Sequence, residues 1–243
     1  MSVMPNKTVV ISQPMFFPWV GMFEQIRLAD VFVHYDDAQF SKGSFTNRVQ
    51  IKTARGSHWL TVPLRELKLG QRIMDVALDG RQDWRKRHLT LLGQAYEQAP
   101  FRDEMLSLVE GVYAKPAATI SELAMASMDA LRAYYAFPKP AQIVRSSQLG
   151  IGGSGSARVL DIVRNLSGSV YITGHGARNY LEHELFERQD VRVEYMDYQK
   201  LAYPQLHGEF TPFVSTLDLV ANAGREGVSV FVSGTVHWKQ FLT

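Results

Sequence analysis

Cysteine is absent from the chain, which removes disulfides, zinc–thiolate centres and a cysteine nucleophile together. No apolar run approaches the roughly twenty residues that a membrane-spanning helix needs, and residues 1–7 lack the apolar stretch of a signal peptide, so the expected address is the cytoplasm. A dominant charge is missing too. The 26 basic and 24 acidic residues leave a formal charge of +2, too close to balance for a surface that coats nucleic acid. Repeats and low-complexity segments are also lacking. What remains is an ordinary globular composition: 243 residues, 46% of them hydrophobic, ample for the core of one domain spanning 1–243.

The stretch from Thr8 to Leu64 organises the rest. Two short apolar runs, Val9–Ile11 and Val31–Tyr35, end in polar residues, Ser12-Gln13-Pro14 and Asp36-Asp37, as buried strands do where they leave a sheet. Between them, residues 21–29 place Met22, Ile26 and Ala29 on one helical face. Strand, helix and strand in so short a span predict a crossover within a parallel sheet. Gln13 then lies beside Asp36 and Asp37 at the carboxyl edge, where open α/β sheets bind ligands. Further on, Val49–Ile51 and Trp59–Val62 read as a hairpin across Arg55-Gly56. Its cations Lys42, Arg48, Lys52 and Arg55 fit either a salt-bridge network with the two aspartates or a site for phosphate or carboxylate.

Helical periodicity takes over from Arg81. Residues 85–97, 102–113 and 117–135 predict three helices forming an insert at about 83–137, with His88 on an apolar stripe as a packed rather than a catalytic histidine. Alternation then resumes: a strand at 141–145 ending in Ser146-Ser147, a glycine-rich turn at 149–155, a helix at 156–166 and a strand at 170–173 followed by Gly174-His175-Gly176. A helix at 179–188 and a strand at 191–195 ending in Asp197-Tyr198 come next. The glycine-rich turn matches neither phosphate-loop pattern and reads as a flexible connection. Residues 203–210 read as a loop folded over the carboxyl edge, 212–223 as a helix with Ser215 as a cap, and 228–243 as a frayed extension or partner contact. The expected fold is α/β: a Rossmann-like, mostly parallel sheet flanked by helices, with a helical insert and a β-hairpin.

The blocks Ile11–Gly21, Ala29–Val33, Asp36–Lys42, Asn47-Arg48 and Trp59–Pro63, with Gly174, Tyr180-Leu181, Tyr203-Pro204-Gln205 and Asp218-Leu219, together resemble the WbqC family over nearly the whole chain. The resemblance implies a place among proteins of O-antigen and other surface-polysaccharide clusters, alongside enzymes that make amino sugars. A weaker similarity to nucleotidylyltransferase-type Rossmann sheets bears on fold alone, because Gln13 to Trp19 stand where that group carries paired histidines.

The expected function is a transferase working on a nucleotide-linked or lipid-linked sugar, moving an acyl or aminoacyl group onto an amino sugar. Without cysteine the transfer is direct, and it needs a base for the amine and donors for the acyl oxygen. Asp36 or Asp37 is the first candidate base and His175 the second. Gln13, Gln39 and Asn47 are assigned to sugar hydroxyls, Lys42 and Arg48 to the diphosphate, and Phe17, Trp19 and Trp59 to an apolar wall. Tyr198 and Gln205 complete the substrate-binding set. The partners are a sugar nucleotide and an acyl donor, with no tightly bound cofactor implied. Two alternatives stand beside this: a glycosyltransferase with a divalent metal at Asp36-Asp37, and a non-catalytic sugar-nucleotide binder. A triad of Ser146 or Ser215 with His175 and Asp197 lacks a Gly-x-Ser-x-Gly elbow and is not expected.

Overall fold

In a computed structural model, which describes residues 6–139 and 141–243, five parallel strands and one antiparallel strand form the central sheet. These are β1 (Thr8–Ser12), β2 (Val31–His34), β5 (Gln142–Arg145), β6 (Val170–Thr173), β7 (Arg192–Asp197) and the antiparallel β8 (Gly234–His237). The spatial order is β5-β2-β1-β6-β7-β8. Strands β3 (Arg48–Thr53) and β4 (Gly56–Thr61) form a separate antiparallel hairpin. The apolar runs become strands because their branched residues are buried on both faces, as in a covered parallel sheet. Val9 and Ile11 pair with Val31 and Val33, and Val10 with Ile172.

Side-chain alternation sorts the helices onto two faces. Val10, Phe32 and Ile172 share one core with α1 (Val20–Leu28), α2 (Trp84–Ala95), α3 (Arg102–Tyr113), α4 (Ile120–Tyr135) and α7 (Thr216–Ala223). Val9, Ile11, Val31, Val33 and Val193 share the other with α5 (Gly155–Asn165), α6 (His183–Glu187) and α8 (Trp238–Phe241). The chain winds outward from β1 through β2 to β5, then returns to β6 on the other flank of β1 and winds to β7. Strand order therefore reverses between β1 and β6.

Local signals account for several boundaries. Asp83 caps α2 by accepting from the Lys86 amide at 3.1 Å. Thr119 and Glu122 form a capping box at α4. Ser215 caps α7, accepting from the Leu217 amide at 3.2 Å. His88 is buried, bonded to the Tyr113 hydroxyl at 2.8 Å and the Thr61 carbonyl at 3.1 Å. Two expectations need correction. The single helix expected over 179–188 is replaced by a 3-10 turn at His175–Asn179 and the short α6, because Ala177 and Leu181 must turn into the core. The tail is no frayed end: β8 pairs with β7 from Glu194–His237 to Asp197–Gly234, and Phe241 of α8 stacks on Tyr195. No described helix is long and apolar enough to cross a membrane.

Candidate functional site at the carboxyl edge of the sheet

Asp36 and Asp37 leave the end of β2 and meet the end of β5. The Ser147 amide and hydroxyl donate to Asp36 at 3.1 and 2.8 Å. The Ser146 hydroxyl donates to Asp37 at 2.6 Å, and Arg158, in the first turns of α5, forms an ion pair with Asp37. Arg158 is itself spent: it donates to the Ile151 carbonyl at 3.0 Å and the Tyr35 hydroxyl at 3.3 Å, over the Tyr35 ring. Burial alone would raise the Asp37 pKa, but Arg158 and Ser146 outweigh it and hold the carboxyl below its ordinary value. Hence the aspartates form an anchored polar cluster joining β2, β5 and α5. A carboxylate so held is a weak base, and its oxygens are already committed to hydroxyls and a guanidinium. No group of three His, Asp or Glu side chains with metal-ligand spacing occurs among the described residues.

Gln13 and His175 stand at the reversal of strand order. Gln13 follows β1, half-buried, and its side chain has no protein hydrogen-bond partner among the described residues. His175 follows β6, exposed, with Nε2 2.7 Å from the Met196 carbonyl and its ring against Phe241. A carbonyl partner requires Nε2 to carry the proton, which leaves the Nδ1 lone pair available. The loop between β1 and α1 is pinned from three sides: Phe16 donates its amide to the Phe45 carbonyl, Phe17 to Ser127 Oγ at 2.9 Å, and Thr216 bonds the Pro18 carbonyl. Phe17 is 0% exposed, with φ of 40°. It is core, stacked edge-on with Phe16, and is corrected from the substrate wall.

Trp19 is half-buried between Tyr198, at 5.0 Å, and Phe213, at 5.9 Å. Gly21 must be glycine here, since a Cβ would sit 2.4 Å from the Trp19 ring. Gln205 is also corrected: its Oε1 accepts from Lys52 and the Thr211 amide while its Nε2 donates to Tyr203 Oη and the Thr211 carbonyl. With all four positions used, it staples residues 203–211 and has no capacity left for substrate. Lys52, read as part of an anion site, is buried beneath this loop, donating also to the Gly208 and Glu209 carbonyls.

Lys42, Asn47 and Arg48 line a groove of about 430 Å³ with Phe40, Leu64 and Leu67. Arg48 lies 4.2 Å over the exposed Trp59 ring and donates to the Gly43 carbonyl at 2.6 Å, while Asn47 donates to the Val62 carbonyl at 2.9 Å. Gln39 is exposed on a bridge to Arg72. The bond from the Tyr35 amide to the Ser12 carbonyl carries the β1–β2 pairing on to the edge, so Gln13 and the aspartates leave neighbouring strand ends. The structure groups Lys42, Asn47, Arg48 and Trp59 on the hairpin. Ser215, a candidate triad member, is fully buried as a cap and donates to the Phe17 carbonyl.

Fold and site together define a doubly wound α/β protein with polar groups gathered at the carboxyl edge of its sheet. The chain belongs to the WbqC-like protein family, which matches residues 13–230. It is 31% identical over 223 residues to "Uncharacterized protein Rv1507c" of Mycobacterium tuberculosis, an alignment covering 90% of this chain and 95% of that relative. No solved structure matches it.

Proposed function

We propose that the protein is a transferase of surface-glycan assembly that moves an acyl or aminoacyl group onto the amine of a nucleotide-linked amino sugar. The reversal of strand order between β1 and β6, flanked by Gln13 and His175, supports it most directly. In open α/β sheets such a reversal opens the crevice in which ligands bind. The groove supplies the Lys42 ammonium and the remaining N–H groups of Arg48, which already holds the Gly43 carbonyl, for a diphosphate, and the Trp59 face not covered by Arg48 for a base or sugar.

In this reading His175 is the base. Its Nδ1 accepts the amine proton as the nitrogen attacks the acyl carbon of an activated donor; the new N–C bond forms, the bond to the donor's leaving group breaks, and the proton passes to that group. Asp36 and Asp37 position the end of β2 rather than take the proton. The test is to incubate the protein with a panel of nucleotide-linked amino sugars and activated acyl donors and to measure mass gain by mass spectrometry. An acylated sugar formed by the wild type and not by His175→Ala is expected. The absence of product across the panel would sink the reading, and glycosyl transfer from the same nucleotide sugars, abolished by EDTA, would favour the glycosyltransferase instead.

A further inference from the structure

Gln25 of α1 is buried, only 3% exposed. Its Nε2 reaches only Met22 Sδ, at 3.5 Å, a weak acceptor, and its Oε1 takes no hydrogen bond among the described residues. A nearly buried amide whose only protein partner is a thioether is poorly satisfied, so its place here calls for something else that uses it. It points at the strand-order reversal, because a Cβ on Gly174, just past β6, would lie 3.0 Å from its Nε2. Gly174 has φ of −86°, open to any residue, so only the close approach of the amide calls for glycine.

Two more under-used polar groups lie alongside. Ser12 pairs with His34 of β2, and the β1–β6 register, extended two residues past Val10–Ile172, sets Ser12 beside Gly174. The Ser12 hydroxyl reaches only the Gln13 carbonyl, at 3.4 Å, and His34, 2% exposed, has a buried Nδ1 with no partner. Burial depresses the His34 pKa to about 4, so the imidazole is neutral at neutral pH. The row from His34 through Ser12 to Gln25 is rich in hydrogen-bonding capacity and carries no free charge. Such a floor suits hydroxyls and leaves an anion uncompensated.

We propose that Gln25, with Ser12 and His34, forms the floor of the ligand site and binds the hydroxyls of the sugar moiety, the diphosphate lying outside it. This rests on the sugar-nucleotide reading above. The test replaces Gln25 by Leu and, separately, by unbranched Met, and follows thermal unfolding of the full-length protein. It is run alone, with uridine, thymidine, guanosine or cytidine diphosphate, and with the matching nucleotide sugars.

Without ligand, both variants are expected to unfold at the same temperature as the wild type or up to roughly 2–4 °C higher, as follows from removing a poorly paired amide from the interior. The extra stabilisation by the sugar moiety should vanish, while that by the bare diphosphate persists. Lower melting temperatures in both variants without ligand, retained sugar-dependent stabilisation, or equal loss with the bare diphosphates would each overturn the inference. If no sugar nucleotide stabilises the wild type, the transferase reading falls. The ligand-free comparison still decides whether Gln25 is held free of the fold.

Discussion

Arg158 decides what Asp37 is for. A lone carboxylate at a strand end suits a general base, but this one faces a guanidinium with only 9% and 14% of the two side chains exposed. Removing one partner from a buried pair leaves an uncompensated charge, at a cost of about 3 kcal/mol, the low end of the usual range because a rim of solvent remains. Arg158→Leu is therefore expected to lower the midpoint of denaturant unfolding by that equivalent, and an unchanged midpoint would show that solvent already screens the pair. Asp37 was legible in the sequence and Arg158 was not. Its only signal is a charged residue among Val159, Leu160, Ile162 and Val163 on the buried side of α5. Nothing local tells which distant carboxylate such a residue meets. The readings of Phe17 and Gln205 failed for a related reason, since aromatic and amide side chains serve core and ligand equally and only tertiary contacts separate the two.

At the scale of elements, sequence periodicity was more informative. The βαβ start, the hairpin, the three helices between Trp84 and Tyr135 and the cap at Ser215 all follow from spacing and turn chemistry, which act within a few residues. β8 could not be read that way, because a short edge strand exists by virtue of the β7 backbone it pairs with. The loop at 203–211 shows how far apart in sequence its supports lie: Lys52 of the hairpin holds it, and Tyr203, together with Tyr96 after α2, donates to the buried Asp218 of α7 at 2.9 and 3.0 Å. Lys52→Met keeps the apolar stem but leaves the Gly208 and Glu209 carbonyls and Gln205 Oε1 without their shared donor. The loop should then open locally more often than the sheet does. Limited proteolysis is expected to cut the variant within residues 199–213 several-fold faster than the wild type, and equal cleavage rates would mean that Gln205 and Tyr203 hold the loop without the lysine.

The molecule as a whole buries histidines that its fold keeps neutral. His34, at the sheet edge, and His88, between the helices and the hairpin, both have pKa values depressed to about 4, with burial the largest cause. In the unfolded chain each titrates near 6.5. Between these values the unfolded state binds protons that the folded state refuses, so stability is fully present above about pH 6.5 and falls as the pH drops toward 4. At pH 5 the loss is about 2 kcal/mol per histidine, as follows from a gap of about 1.5 pH units at 1.36 kcal/mol each. Asp37 and Asp30, the latter lowered to about 2, stay ionised in both states over most of this window and weaken the fold only at lower pH, whereas burial raises the Asp218 carboxyl above its ordinary value, so that group opposes the trend. Urea unfolding at pH 7.5 and pH 5 should therefore differ by up to about 4 kcal/mol, the two histidines together less what Asp218 returns, a large share of the stability of an ordinary domain. His88→Gln, whose side chain does not titrate, should show a smaller difference between the two pH values than the wild type. Equal wild-type stabilities at the two pH values would mean that both imidazoles take up protons within the fold. In that case His34 carries a charge at pH 5 and could not belong to a neutral floor there.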